Sequence, residues 1–312
     1  MRRLLLARLA QAGLVALVVG ALCFALMRVL PGDPAMRIAA GRYGPDAMNA
    51  EAAAKVRAEL GLDRPWPAQF ADWIADLARL DLGRSLVTGA PIVEELEVQL
   101  GYSLWLAAAA LGLSLLAGPA FGVVAGLRPQ GWVDRLGLAG SVALRALPPF
   151  VLGLVLMLVF AIRLGWLPPA GFGTWREIAL PALTLGLGLA AVSSRVTRDA
   201  VAGVVSSPWF AFARHKGLSE AVAVRRHGLR NAAIPVVSYL GLQAIYLVEG
   251  VVVVESIFAY PGIGHALVHA IIERDVPMVQ GTALVMGLIF VAITAAVDAA
   301  AAWLDPRPRL AR

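Results

Sequence analysis

An all-helical integral membrane protein is the fold class this sequence predicts. Three observations predict it: little charge, six long charge-free runs, and basic residues that alternate from one side of those runs to the other. Of 312 residues, 59% are apolar and only 15% charged, with a mean hydropathy of +0.75. A soluble chain normally carries about 25% charged residues to cover its surface. Two or three water-soluble domains, which the length alone would permit, are therefore a poor fit.

A spanning helix needs about 17–25 mostly apolar residues. The charge-free runs are Leu9–Met27, Val98–Leu127, Ala146–Ile162, Ile178–Ser194, Asn231–Val248 and Val276–Val297. The two shortest are bounded by Arg145, Arg163 and Arg195, whose long stems snorkel to the headgroups. Alternating segments of about ten residues, which a β-barrel requires, are absent. Aromatic residues collect near the run ends, at Tyr102, Trp105, Trp132, Trp166, Trp175, Trp209, Tyr260 and Trp303, as rings that prefer the headgroup level do.

Orientation follows from the short loops. Arg2, Arg3 and Arg8 place the start in the cytoplasm, and six crossings then bring loop 128–135, loop 195–230 and the tail to the same side. Loop 195–230 holds seven Lys and Arg, whereas the outer loops hold few. The net charge of +6 thus reflects topology, and nucleic-acid binding is not expected. The first apolar run, at 19 residues, exceeds a usual signal-peptide core, so an uncleaved helix is expected there. Cys23 is the one cysteine, which rules out an internal disulfide.

The organisation expected is residues 1–97 as a first span plus an outer helical insert, 98–305 as a five-helix core, and 306–312 as a cytoplasmic tail. Within the insert, Asp46–Leu60 reads as a helix stopped by Gly61, and Pro67 opens a second with Phe70, Trp73, Ile74 and Leu77 at helical spacing. The insert carries no catalytic cluster. Small residues recur in Leu111–Gly126 and Leu183–Ala191, where helices in lipid need close backbone approach.

Segment 199–232 differs in kind. Pro208 precedes Trp209, Phe210, Ala211, Phe212, Ala213, Arg214, His215 and Lys216, after which Gly217 and Leu218 lead to Ser219, a cap for a second helix. A short aromatic and basic helix suits lying flat on a membrane surface, and equally suits insertion into a groove of a soluble partner.

Arg214-His215-Lys216-Gly217-Leu218-Ser219-Glu220, continued by Arg225-Arg226-His227-Gly228-Leu229-Arg230-Asn231-Ala232-Ala233-Ile234-Pro235, resembles the cytoplasmic loop motif of binding-protein-dependent importer permeases. The likeness is to the dipeptide/oligopeptide/nickel branch of ABC transporters. Further blocks agree in order: Leu30–Pro34, Leu60–Pro65, Asp81–Ser85, Leu164–Pro168, Val254–Gly262 and Leu304–Arg307. His215 departs from the pattern, standing where the family usually has alanine. The resemblance implies a type I importer permease fold of six spans in the cytoplasmic membrane of a prokaryote, both termini inside. It also implies as partners a second homologous permease, two ATPase subunits, an extracytoplasmic solute-binding protein and membrane lipid. No cofactor is expected on this chain, since ATP and Mg²⁺ belong to the ATPases. Residues Phe210–Leu218 are the implied ATPase-coupling segment. Its cargo would be di- or oligopeptides, or nickel and metal chelates, moved by alternating access.

Rival readings fare worse. The chain has no GxxxxGK[ST] loop, so it supplies no ATPase of its own, and it lacks GxSxG and any intramembrane histidine, so it is not expected to be an enzyme. An ion-coupled secondary transporter would need charge near the bilayer midplane. His265, His269 and Glu273 share one helical face and are weak candidates for a metal, with a solvated face as the plainer reading. Glu249 is a candidate pore-lining carboxylate, packing being the alternative. Glu255 reads as structural, and Asp298 and Asp305 as partners of loop arginines.

Overall fold

The computed structural model describes residues 2–29, 31–44, 49–79, 81–224 and 228–304, and among them it is all-helical. Five of the six apolar runs lie each within one helix, and Ala146–Ile162 is interrupted at Leu147 and Pro148. Three helices, Ile92–Leu127, Trp175–Val205 and Val276–Ala299, are long and apolar enough to cross a membrane. A bent pair, Trp132–Ala146 plus Pro149–Arg163, makes a fourth if it acts as one span. The chain divides into two compact units, residues 1–103 with 261–291 and residues 104–260 with 292–312. This differs from the division at residue 97, because residues 261–291 group with the insert.

The first unit holds α1 (Arg2–Val29), α2 (Pro34–Tyr43), α3 (Ala50–Leu60), α4 (Trp66–Ala78), the start of α5 (Ile92–Leu127), α12 (Ile263–Glu273) and the first turns of α13 (Val276–Leu304). Asp33 caps α2, accepting from the Ala35 amide at 3.0 Å, and Pro34 fills the first position, where a missing N–H costs nothing. Helices α2 and α3 pair through Ala35, Ile38, Ala39, Ala53 and Val56, all buried. Arg57 then reaches back to Asp33 at 2.6 Å. Gly61 ends α3 in the left-handed region, as expected. Helix α2 was not anticipated from the sequence. Its ten residues mix small, basic and apolar side chains in a weak pattern, and only its cap was there to be read.

Residues 261–291 join this unit through two devices. Ile92 and Leu96 pack with Ile263, Ala270, Met278 and Val279 in one apolar core. Above it, buried Asp275 accepts from the Ser85 hydroxyl at 2.5 Å and from the Met278 amide at 3.2 Å, capping α13. Arg274, also buried, donates to the carbonyls of Pro31 and Gly32.

The second unit holds the rest of α5, then α6 (Trp132–Ala146), α7 (Pro149–Leu156) running into a π-helical stretch (Met157–Arg163), α8 (Trp175–Val205), α9 (Pro208–His215), α10 (Glu220–Ala223) and α11 (Leu229–Ile257). One expected span is broken in this unit. The run Ala146–Ile162 is not a straight span: α6 and the segment after it meet at 104°. Leu147 and Pro148 each precede a proline, which disfavours helical backbone, and both are extended (ψ 125° and 144°). Helix α6 itself begins inside the stretch assigned to a loop, because its charges at Asp134, Arg135 and Arg145 interrupt the apolar signal.

The small-residue stripe performs as expected. Gly118, Gly122 and Gly126 recur every fourth residue along α5 and lie against α8. A Cβ on Gly126 would stand 2.7 Å from the Arg198 carbonyl oxygen and 2.8 Å from the Val201 Cβ. Only glycine permits this approach of two backbones.

Candidate functional site: the α9 turn and the clamp on α8

Helix α8 stops at Val205, and Ser207 and Pro208 restart the chain as α9, with proline again at a position that needs no N–H. Phe210 anchors the new helix. It is 4% exposed and sits among Val201 and Val204 of α8 and Ala223 of α10, with Ala213 and Leu218 packed at the edge. Burying a phenylalanine side chain is worth about 1.5–3 kcal/mol, enough to hold an eight-residue helix that would not be stable alone.

The end of α9 is a Schellman turn. The Gly217 amide donates to the Arg214 carbonyl at 3.0 Å and the Leu218 amide to the Ala213 carbonyl at 3.3 Å. This geometry needs a positive φ at the residue after the cap, and Gly217 supplies +88°. Leu218 then falls back onto the Phe210 cluster.

The remaining side chains face outward. Phe212 is 61% exposed, and Trp209, Ala211, Arg214, His215 and Lys216 are exposed too. The Lys216 ammonium lies 4.6 Å from the centre of the Phe212 ring, a cation–π contact, and the His215 ring bonds the Ala211 carbonyl oxygen at 2.7 Å. The segment Phe210–Leu218 was read from sequence as one set. The structure separates it into an anchor (Phe210, Ala213, Leu218), a hinge point (Gly217) and an exposed aromatic-basic face. Residues 225–227 of the motif lie outside the described residues, as do the tail 305–312 and the side chain of Glu249.

Two turns up α8 is a group that sequence reasoning missed. Asp134 of α6 is buried, and both its carboxylate oxygens are taken by arginines of α8: Arg195 at 3.0 Å, and Arg198 through its Nε at 2.9 Å and a second, shorter bond from Nη2. The Gln130 amide adds a fourth donor at 2.9 Å. Arg198 also pairs with Asp199 at 3.0 Å. The signal for this clamp was visible as Asp134 between Arg128 and Arg135, yet nothing in a single sequence shows which arginine a carboxylate meets.

Buried polar contacts also join α5, α8 and α11. Gln243 is wholly buried, accepting from the Ser114 hydroxyl at 3.1 Å and donating to the Leu189 carbonyl at 2.7 Å. A side-chain amide satisfied in this way ties three helices together without an apolar driving force. Glu255 is fully buried near the end of α11, consistent with a structural role.

The weak metal candidates fall on α12. His265 and His269 have ring centres 4.5 Å apart. Burial and the neighbouring His269 push His265 below its ordinary pKa, while burial pushes Glu273 up. Among the described residues no three His, Cys, Asp or Glu side chains lie close enough to hold one ion. Accordingly, replacing both histidines with alanine is expected to leave metal-dependent uptake within about twofold of wild type, on the scale of a surface change. A large loss confined to metal cargo would show instead that the pair binds it.

Comparison with known proteins defines the class to which this architecture belongs. Residues 118–310 match the family described as binding-protein-dependent transport system inner membrane component, and residues 1–93 match its N-terminal companion. The chain belongs to this family and is the membrane-embedded permease of an ABC importer. Among similar proteins, the glutathione transport system permease protein GsiC of Pectobacterium atrosepticum is 40% identical over 293 residues, 94% of each chain. The protein of that name from Salmonella typhimurium is 41% identical over 94% of each chain, and that from Escherichia coli is 39% identical over the same share. A crystal structure of an amino acid ABC transporter shares the fold, with a TM-score of 0.52 at 17% identity, covering 69% of this chain and 94% of that one.

Proposed function

We propose that this chain is one of two permeases forming the path of a peptide-class importer, and that α9 is the helix through which an ATPase subunit drives it. The observation that carries this reading is the division of α9 into a buried anchor and an exposed face. Phe210 fixes the helix to α8, while Trp209, Phe212 and the basic end are left to meet a partner groove. Motion of the ATPases would then reach α8 and α6 as one body through Val201, Val204 and the Asp134 clamp, alternating access between the two sides of the cytoplasmic membrane. The ATPases bind ATP and Mg²⁺, a solute-binding protein delivers cargo on the outer side, and both ends of the chain are cytoplasmic.

The names of the relatives point the cargo toward glutathione and other short peptides. Nickel and metal chelates, which the family branch also admits, have no three-ligand group among the described residues to favour them. The test is uptake into vesicles carrying the complex reconstituted with both permeases and ATPases. Uptake of labelled glutathione or dipeptide that requires ATP and the binding protein supports the reading. Uptake driven by an ion gradient without the ATPases would replace it with a secondary transporter.

Glu249 enters here as a pore-lining candidate. A carboxylate on a water-filled path attracts cationic cargo by about 1–4 kcal/mol at 4 Å, depending on the local dielectric. Glu249→Gln keeps the shape and removes the charge, so uptake of a cationic peptide is expected to fall several-fold while a neutral one is spared. Equal behaviour toward both peptides would return Glu249 to packing.

A further inference from the structure

Helix α4 of the insert packs on α1 below the level at which α1 leaves its apolar run. Phe70 meets Phe24 with ring centres 5.1 Å apart and stacks on Trp73 at 5.6 Å. The edge of the Trp73 indole occupies the place where a Cβ on Gly20 would stand. The run on α1 ends at Arg28, four residues beyond Phe24 and eight beyond Gly20. At 1.5 Å per residue these contacts lie about 6 Å and 12 Å inside that end.

A second ruler sets Gly20 shallower. Gln280 of α13 donates to the Gly20 carbonyl at 3.5 Å and follows Asp275, the charge that bounds the run of α13, by five residues. That places Gly20 about 8 Å inside. An amphipathic helix lying in a membrane interface sits about 5–10 Å into the headgroup and acyl boundary.

The sides of α4 are sorted to match. Phe70 and Trp73 face α1, and Trp73, Asp72 and Asp76 line a cavity of about 450 Å³ with Phe24 and Arg64, Asp72 being paired with Arg64 at 2.8 Å. The flank left over carries no charge. Pro67, Ala71, Ile74, Ala75 and Ala78 are exposed along it, and Trp66 stands 60% exposed at its start. Exposed Leu22 and Leu26 of α1 lie in the same stretch as the contacts with α4. An apolar flank continuous in depth with a spanning helix, and headed by a tryptophan, has the chemistry of a lipid-facing surface.

We propose that α4 is embedded in the interfacial layer of the bilayer beside α1, with its Ile74–Ala78 flank on phospholipid acyl chains. The insert is then partly a membrane element, held at a fixed depth, and only its α2–α3 portion stands clear in water. The test is spin-label accessibility on the full complex in proteoliposomes, with Cys23→Ser as the background and single cysteines at Ile74, Ala78 and, as an aqueous control, Asp63, whose side chain is 80% exposed. Collision with oxygen should exceed collision with a water-soluble nickel chelate at positions 74 and 78 and reverse at 63. Chelate collisions dominating at 74 and 78 would overturn the proposal, and so would shielding from both probes, which would mean a protein partner covers the flank. A measurement with the native cysteine in place stands beside it. Lipids brominated near the headgroup end of the chain should quench wild-type tryptophan emission more than that of Trp66→Phe, and equal quenching would count against lipid contact.

Discussion

Gly217→Val is expected to abolish transport while leaving the chain in the membrane. No atom lies within 4 Å of a Cβ built on Gly217, so the loss does not come from a clash. It comes from the backbone, held at φ +88°, where a β-branched residue is disfavoured by roughly 1–2 kcal/mol. The Schellman bonds from Gly217 and Leu218 would open, and Leu218 would leave the cluster that seats Phe210. A rigid docking helix would become a tethered one. The measurements are ATP-dependent uptake, membrane yield, and ATPase activity of the assembled complex. Gly217→Asn supplies the control, because asparagine tolerates left-handed backbone and should retain a good part of the transport. Full uptake by the valine variant would remove α9 from the coupling path.

Asp134→Ala is expected to destabilise the second unit by about 3 kcal/mol, the lower end of what breaking a buried ion pair costs. The removed carboxylate leaves Arg195 and Arg198 without the buried partner they share, and the exposed Asp199 replaces it poorly. The midpoint of thermal unfolding in detergent should drop, and uptake should fall with it. A double-mutant cycle sharpens this: once Asp134 is gone, adding Arg198→Ala should cost little more, since the pair shares one interaction. Fully additive losses would mean that the two residues act separately and that α6 is held to α8 by other contacts.

Much of this molecule was legible in its sequence because lipid writes a loud signal. Five of the six charge-free runs became single helices, and the glycine ladder Gly118–Gly122–Gly126 became the close contact it predicts. The left-handed stop at Gly61 and the turn at Gly217 were legible for a related reason: glycine is chosen where φ must be positive. What stayed hidden was of two kinds. Helix α6 was masked because its charges are satisfied by partners far along the chain, as Asp134 is by Arg195 and Arg198. The break at Leu147–Pro149 was masked because hydropathy counts apolar residues and takes no account of backbone direction. For segment Phe210–Leu218, the motif marked the residues, and only the packing of Phe210 distinguished anchor from face.

For the docking role proposed for α9, the seating of Phe210 has a consequence for how quickly a partner can be recognised. A docking peptide that is loose in the free state must lose its conformational freedom on contact, at about 1–2 kcal/mol per residue for the backbone alone. Here the eight residues of α9 have already lost it, through the proline start, the phenylalanine plug and the glycine turn. If α9 docks in a partner groove as proposed, the encounter selects an orientation without folding anything, and the affinity that results is set by the exposed aromatic-basic face.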